Sequence, residues 1–252
     1  AQGRDEVDQV PGQAVLRADA RSRVHPASLP AGRPRDHLSV LAELATDRRL
    51  VMVLPGSVVM QVAHPVVGAG VGEHSVFRTD PWGRLAHSLA STLTLLRGGP
   101  AAAAEGARLR ELHRGIGGVD ERGRRYHALN PGAYAWVHLI MFERLVTLRR
   151  VFGRPLTAPQ RAELYADLVE LGLAMGIKRH RMPPDEPAFW PYLAATIDDV
   201  LEDHPTVHAF LDVLRHSAVP HPRWPAPLHR LWPPVGRGVG GFSHFLAVGT
   251  LP

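Results

Sequence analysis

One segment of this chain restricts the fold more than any other. From Asn130-Pro131 to Gly153 the sequence reads as a single long helix, opened by a capping side chain before an early proline and closed by a glycine. Its first half, Ala133 to Phe142, carries one strongly polar side chain, His138. On a helix, Tyr134, Val137, Met141 and Leu145 lie on or beside the same face as His138. A helix this apolar belongs in the middle of a core, and an imidazole placed there is buried. A buried polar group without a partner costs roughly 1–3 kcal/mol. His138 therefore needs either a hydrogen-bond acceptor or a metal, and the residues alone leave both readings open.

The rest of the chain follows the same helical pattern. Apolar periodicity predicts helices over 37–54, 56–70, 81–97, 102–117, 131–152, 158–177, 186–203 and 205–216. Asp80-Pro81 and Thr157-Ala158-Pro159 are start signals, and Gly98-Gly99-Pro100 and Gly153 are stops. No alternating strand run occurs. Gly117 to Tyr126 reads as a turn-rich loop or short hairpin. The expected architecture is an irregular N-terminal arm over 1–35 followed by one all-α domain over 36–252. Residues 217–252, dense in Pro, Gly and His, are expected to wrap it irregularly.

Composition removes several chemistries. The chain has no cysteine, which excludes disulfides, zinc-thiolate sites, thiolate haem ligation and cysteine nucleophiles. Any metal would be held by His, Asp, Glu or Tyr. The net charge is +5, almost all of it arginine, since Lys178 is the only lysine. The arginines are scattered in pairs without a long basic run, so nucleic acid is not an expected partner. Leu50 to Gly72 carries no charged side chain, but Gln61, His64, Pro55 and Pro65 interrupt it. It reads as buried helices and not as a transmembrane span. Ala1 to Asp5 shows no hydrophobic signal core, so a cytoplasmic location is expected. Oligomeric state is not legible.

Further candidate site residues lie upstream of His138. Arg84 and Ser88 are four apart and share a helix face, where Arg84 could meet a buried anion; His87 sits one position off that face. A solvated amphipathic helix explains the same spacing. Gln61 and His64 are the polar groups of an uncharged stretch, and His64 before Pro65 reads as a helix end satisfying free carbonyls. His113, before Gly115, Gly117 and Gly118, is either a helix end or part of a loop over a pocket. Paired Glu-x-x-His motifs, His-Glu-x-x-His, a Walker loop, a dinucleotide fingerprint and a nucleophile elbow are all absent.

The order of these segments is informative. Gln61-x-x-His64-Pro65 is followed by His74-Ser75-x-Phe77-Arg78, Asp80-Pro81-x-x-Arg84-Leu85 and His113 before glycines. Then come Gly123-x-x-Tyr126-x-Ala128-x-x-Pro131, Trp136-Val137-His138 and Met182-Pro183. This series resembles the bacterial branch of the MpaB / rubber oxygenase (latex-clearing protein) family, over about residues 45–190. The resemblance implies a globin-like all-α fold around haem b, with His138 as the proximal iron ligand. It implies an oxygenase that uses O2 or peroxide on an apolar, unsaturated substrate such as an isoprenoid. Arg84 and Ser88 match an Arg-x-x-x-Thr pair that supports the haem, with serine in place of threonine. His87 stands where relatives carry a lysine, which puts a lysine-gated mechanism in doubt. His64, His87 and Arg84 are the implied distal groups, and Gln61 and His113 are further haem-pocket candidates. The acidic base of rubber cleavage has only Glu73 as a counterpart. A haem carrier without turnover and a cofactor-free helical module are the competing readings.

Overall fold

The three expected start signals all close in hydrogen bonds. A computed structural model describes residues 39–96, 99–216 and 225–252; the expected arm over 1–35 lies outside them. Among the described residues the helices are α1 (Val40–Ala45), α2 (Leu54–Val62), α3 (Pro65–His74), α4 (Pro81–Leu96), α5 (Gly99–Arg114), α6 (Pro131–Phe152), α7 (Ala158–Ala174), α8 (Glu186–Asp199), α9 (Pro205–His216) and α10 (Trp232–Gly249). Asn130 Oδ1 accepts from the Gly132 and Ala133 amides at the start of α6. Asp80 Oδ1 accepts from the Gly83 amide at the start of α4. Thr157 and Gln160 form a reciprocal capping box on α7. The loop before α6 is a two-stranded hairpin, β1 (Gly117–Val119) with β2 (Arg125–His127), in the register Gly118 opposite Tyr126.

Helix α6 is the axis of the domain. Its aromatic contacts run outward from Phe142, with ring centroids 4.8 Å from Phe189 on α8 and 5.1 Å from Tyr165 on α7. Three polar side chains of this buried helix each donate to a carbonyl of a different neighbour. Trp136 Nε1 reaches the Met60 carbonyl of α2 at 3.0 Å. His138 Nε2 reaches the Leu168 carbonyl of α7 at 2.6 Å. Arg144 Nη1 reaches the Thr250 carbonyl, just past α10, at 2.6 Å. Arg144 is fully buried and pairs with the adjacent Glu143, whose other oxygen accepts from Thr147. These bonds fix the rotation of α6 as well as its position, because a slip would strand buried polar groups.

Three regions differ from the sequence reading. The predicted 37–54 helix is α1 followed by a 3-10 turn over Arg48–Met52, because Asp47 Oδ1 accepts from the Arg49 amide and starts a new turn. The predicted 56–70 helix is broken into α2 and α3, bent by 105° where Pro65 cannot continue the ladder. No single helix among the described residues is long and apolar enough to cross a membrane, although this bent pair passes on composition. The C-terminal region also corrects an expectation. Within the described residues 225–252, a short 3-10 turn leads into α10, where an irregular wrap was expected. Glycine and proline density misled the reading, since the two prolines of α10 fall in its first turn and two of its glycines, Gly236 and Gly240, lie on its buried face.

Helix α3 packs tightly on the start of α9. Thr206 Oγ1 donates to the Gly68 carbonyl at 2.8 Å, and a Cβ at Gly68 would lie 2.5 Å from the Val62 carbonyl and 2.6 Å from His204 Nδ1. Gly68→Ala should therefore lower stability by about 1–3 kcal/mol. Urea unfolding measures this, and an unchanged midpoint would show that the contact is slack.

Candidate active site

Tyr134, Val137 and Met141 form a half-buried stripe on α6, beside the fully packed faces of the same helix. Two neighbours approach it. From α2, Gln61 Nε2 donates to Ser57 Oγ at 3.3 Å, and Ser57 Oγ donates to the Met141 sulfur at 3.4 Å. From α5, the His113 ring meets Tyr134 edge-on with centroids 6.0 Å apart. The Tyr134 hydroxyl is buried and has no hydrogen-bond partner among the described residues, and burial raises its pKa. A stranded donor on a partly open apolar wall is the signature of a surface shaped for a ligand.

The His113 ring is fixed through one nitrogen. Its Nδ1 lies 2.6 Å from the Leu109 carbonyl one turn back, so Nδ1 carries the proton and Nε2 is left with its lone pair. Among the described residues no group bonds that Nε2. A ring held through one nitrogen by a carbonyl, with the other nitrogen free, is the arrangement that metal-binding histidines use.

His138 does not fit an iron. Its Nε2–H is donated to Leu168, and the ring packs against Gly172 and Met182; a Cβ at Gly172 would sit 2.9 Å from both His138 Nε2 and the Met182 sulfur. Burial depresses its pKa, so the ring is neutral. The remaining nitrogen, Nδ1, is the one nearer the helix backbone. The hydrogen-bonded core histidine, one of the two readings the residues left open, is the state observed. The proximal-ligand role that the resemblance implied would require this bond to break.

On α4, which packs along α5, Arg84 Nη1 donates to Ser88 Oγ, as their spacing predicts. Arg84 is exposed, and partial desolvation by the surrounding protein lowers its pKa. No carboxylate among the described residues pairs with it. His87 is exposed and makes no hydrogen bond among the described residues. Of the candidate residues, only Arg84 and Ser88 bond to each other.

His64 is a correction. It begins α3 instead of ending α2: its Nδ1 accepts from the Val66 amide at 3.3 Å. Burial pushes its pKa down to about 4 from 6.5. Glu73 accepts from the Tyr126 hydroxyl on β2, which also contacts His74 Nε2 at 3.1 Å, and burial and the Glu73 carboxylate push the Tyr126 pKa up to about 12. The polar stretch Glu202 to His208 is a salt-bridged helix end and cap. Glu202 binds Arg122 and Arg124, and His204 Nδ1 accepts from the Thr206 amide at the start of α9. No group of three or more metal-ligating side chains occurs among the described residues. Sequence reasoning missed Tyr134 as a site group and the buried Glu143–Arg144 pair. Two charges in the middle of an otherwise apolar helix were the available signal for the second.

Comparison with known proteins decides the family. The sequence model described as "ER-bound oxygenase mpaB/B'/Rubber oxygenase, catalytic domain" matches residues 43–252. The chain belongs to the MpaB/rubber oxygenase family. No curated protein and no solved structure matches it. The MpaB/rubber oxygenase match covers every helix from α2 to α10, so the site above lies within an oxygenase catalytic domain. Such a domain takes a small-molecule substrate and dioxygen.

The depressed His64 pKa has a consequence for acid stability. An unfolded histidine takes up a proton near pH 6.5, whereas the folded one resists until about pH 4. His64 thus contributes stability that is complete above pH 6.5 and lost as the pH falls toward 4. His64→Asn keeps a capping side chain and should flatten the stability–pH slope in that window by a few kcal/mol in total. Equal slopes in the two proteins would mean that His64 is already charged when folded.

Proposed function

We propose that this domain is a haem b-dependent oxygenase acting on an apolar, unsaturated small molecule of isoprenoid type, and that His113 holds the iron in place of His138. The observation that carries the reading is the His113 imidazole, anchored through Nδ1 to Leu109 and free at Nε2. Family membership supports the oxygenase class. Haem, when bound, would supply the dioxygen chemistry that side chains lack.

The chain's own groups have separable tasks in this reading. The Leu109 carbonyl fixes the orientation of the His113 ring and points Nε2 away from the helix backbone. Arg84, oriented by Ser88 and without a carboxylate partner, would bind a propionate. Val137 and Met141 give an apolar wall that orients the substrate and excludes water. The unpartnered Tyr134 hydroxyl offers a hydrogen bond at that wall. His87, open to solvent, is placed to exchange protons with water. His64 stays neutral at its helix cap and acts in support. The family's description as oxygenases supports O2 over peroxide as the oxidant.

The His138–Leu168 bond is also what a cofactor-free helical module would show, so the test has to separate the two. Protein produced with added haem should show a Soret band, and His113→Ala should remove it. His138→Ala should keep haem per folded molecule while losing about 2–4 kcal/mol of stability, through a cavity and an unsatisfied Leu168 carbonyl. No Soret band in the parent would end the haem reading. Loss of haem from a folded His138→Ala protein that His113→Ala does not reproduce would return the ligand role to His138. Dioxygen uptake with a polyisoprenoid, and none with its saturated analogue, would mark turnover and exclude a passive haem carrier.

A further inference from the structure

The turn of α6 that carries Tyr134 faces a charged group as well as apolar ones. His138, one turn further on, packs on Gly172 near the end of α7. This part of α6 therefore looks onto that helix end. Arg110 of α5 is anchored at the same place, its Nη1 donating to the carbonyl of Met175, the residue that closes α7, at 2.8 Å. Arg110 and His113 are three apart and share a face of α5, and the His113 ring meets Tyr134 edge-on, with centroids 6.0 Å apart. Arg110 and Tyr134 thus converge on one crevice between α5, α6 and the end of α7.

Neither side chain is spent within the protein. The Tyr134 hydroxyl is buried and has no hydrogen-bond partner among the described residues. Burial raises its pKa and the Arg110 charge opposes that rise, so the phenol keeps its proton at neutral pH and can donate it to a hydrogen bond. Arg110 is half-buried, and the Met175 carbonyl is its one acceptor among the described residues. The carboxylates nearest to it on α5 are taken, Glu105 by Arg108 and Glu111 by Arg114. A guanidinium without a counter-ion and a stranded hydroxyl, placed together, are costly to leave without a ligand.

The donor set selects the ligand group. One planar cation and one neutral hydroxyl suit a single negative charge spread over two oxygens in a plane, which is a carboxylate. A phosphate dianion would call for a second cation, and Arg108 and Arg114 are committed to their own carboxylates. Val137 and Met141 continue the half-buried stripe away from this pair. Met141 lies about 10 Å along the helix from Tyr134, the length of a short isoprenoid chain.

We propose that Arg110 and Tyr134 clamp the carboxylate of an otherwise apolar ligand that lies along Val137 and Met141. The clamp rests on the reading of this wall as a ligand surface, and gives the isoprenoid-type molecule an anionic end. Two ligands can present that group here, a substrate acid or a haem propionate.

Binding of acids against their esters tests the clamp and separates the two sources. The full chain, purified without added haem, is titrated calorimetrically with geranate and with methyl geranate at neutral pH. Haem and its dimethyl ester are compared by absorbance titration. The parent should bind the acid of at least one pair about tenfold or more tighter than its ester. In that pair Y134F should weaken the acid about tenfold, and R110Q should bring acid and ester close to equal. A preference for geranate makes the ligand a substrate acid, and a preference confined to haem makes it a propionate. Y134F should keep the parent's melting temperature, since its hydroxyl bonds nothing in the protein; if R110Q does not fold, Y134F decides alone. Equal binding of acid and ester in both pairs, no binding in either, or a preference that the variants leave untouched overturns the clamp. So does a several-degree fall in the melting temperature of Y134F, which would reveal an internal partner. The geranate titration needs neither haem nor turnover, so a missing Soret band would leave the clamp standing, and loss of the clamp would leave the oxygenase reading standing.

Discussion

A buried helix must find an acceptor for every polar atom it carries into the core, and α6 solves this by reaching three different neighbours. Trp136 bonds α2, His138 bonds α7, and Arg144 bonds the chain just past α10. Each bond is formed in a low-dielectric interior, where an unmade one would cost a substantial part of a domain's marginal stability. Together they hold one helix at three points along its length. The half-buried stripe of Tyr134, Val137 and Met141 stays in place because the other faces are pinned.

This constraint changes the meaning of His138. A histidine in an apolar helix invites a metal, and the family resemblance strengthens that invitation. In the structure it belongs to a set with Trp136 and Arg144, all doing the same structural work. His113, whose ring Tyr134 of α6 meets edge-on, keeps its Nε2 without a hydrogen bond among the described residues. Iron and core packing would thus be served by different histidines, each fixed by a carbonyl, and the nitrogen left over separates the two roles.

Much of the fold was legible because helix signals are local. Asn130, Asp80 and Thr157 cap the helices they were expected to cap, and the hairpin before α6 falls where the glycines mark it. The misses are tertiary. His64 could equally finish one helix or begin the next, and only the path of the chain after Pro65 decides between them. Helix α10 was hidden because Gly236 and Gly240 signal flexibility in sequence, whereas in the fold both are buried and Gly240 lies against α9. The Arg84–Ser88 pair was readable from spacing alone. Which ring nitrogen of His113 or His138 is free was not, since it depends on a carbonyl thirty residues away in one case and one turn away in the other.

The account's central claim is a division of labour between two imidazoles, and side-chain NMR of the 15N-histidine-labelled protein reads it directly. Without haem, His138 should be a neutral Nε2–H tautomer whose proton exchanges slowly, and His113 an Nδ1–H tautomer. On adding haem, the His113 signals should be the ones shifted or lost, while the His138 Nε2–H remains. Loss of the His138 proton on haem addition, with His113 unmoved, would contradict the account.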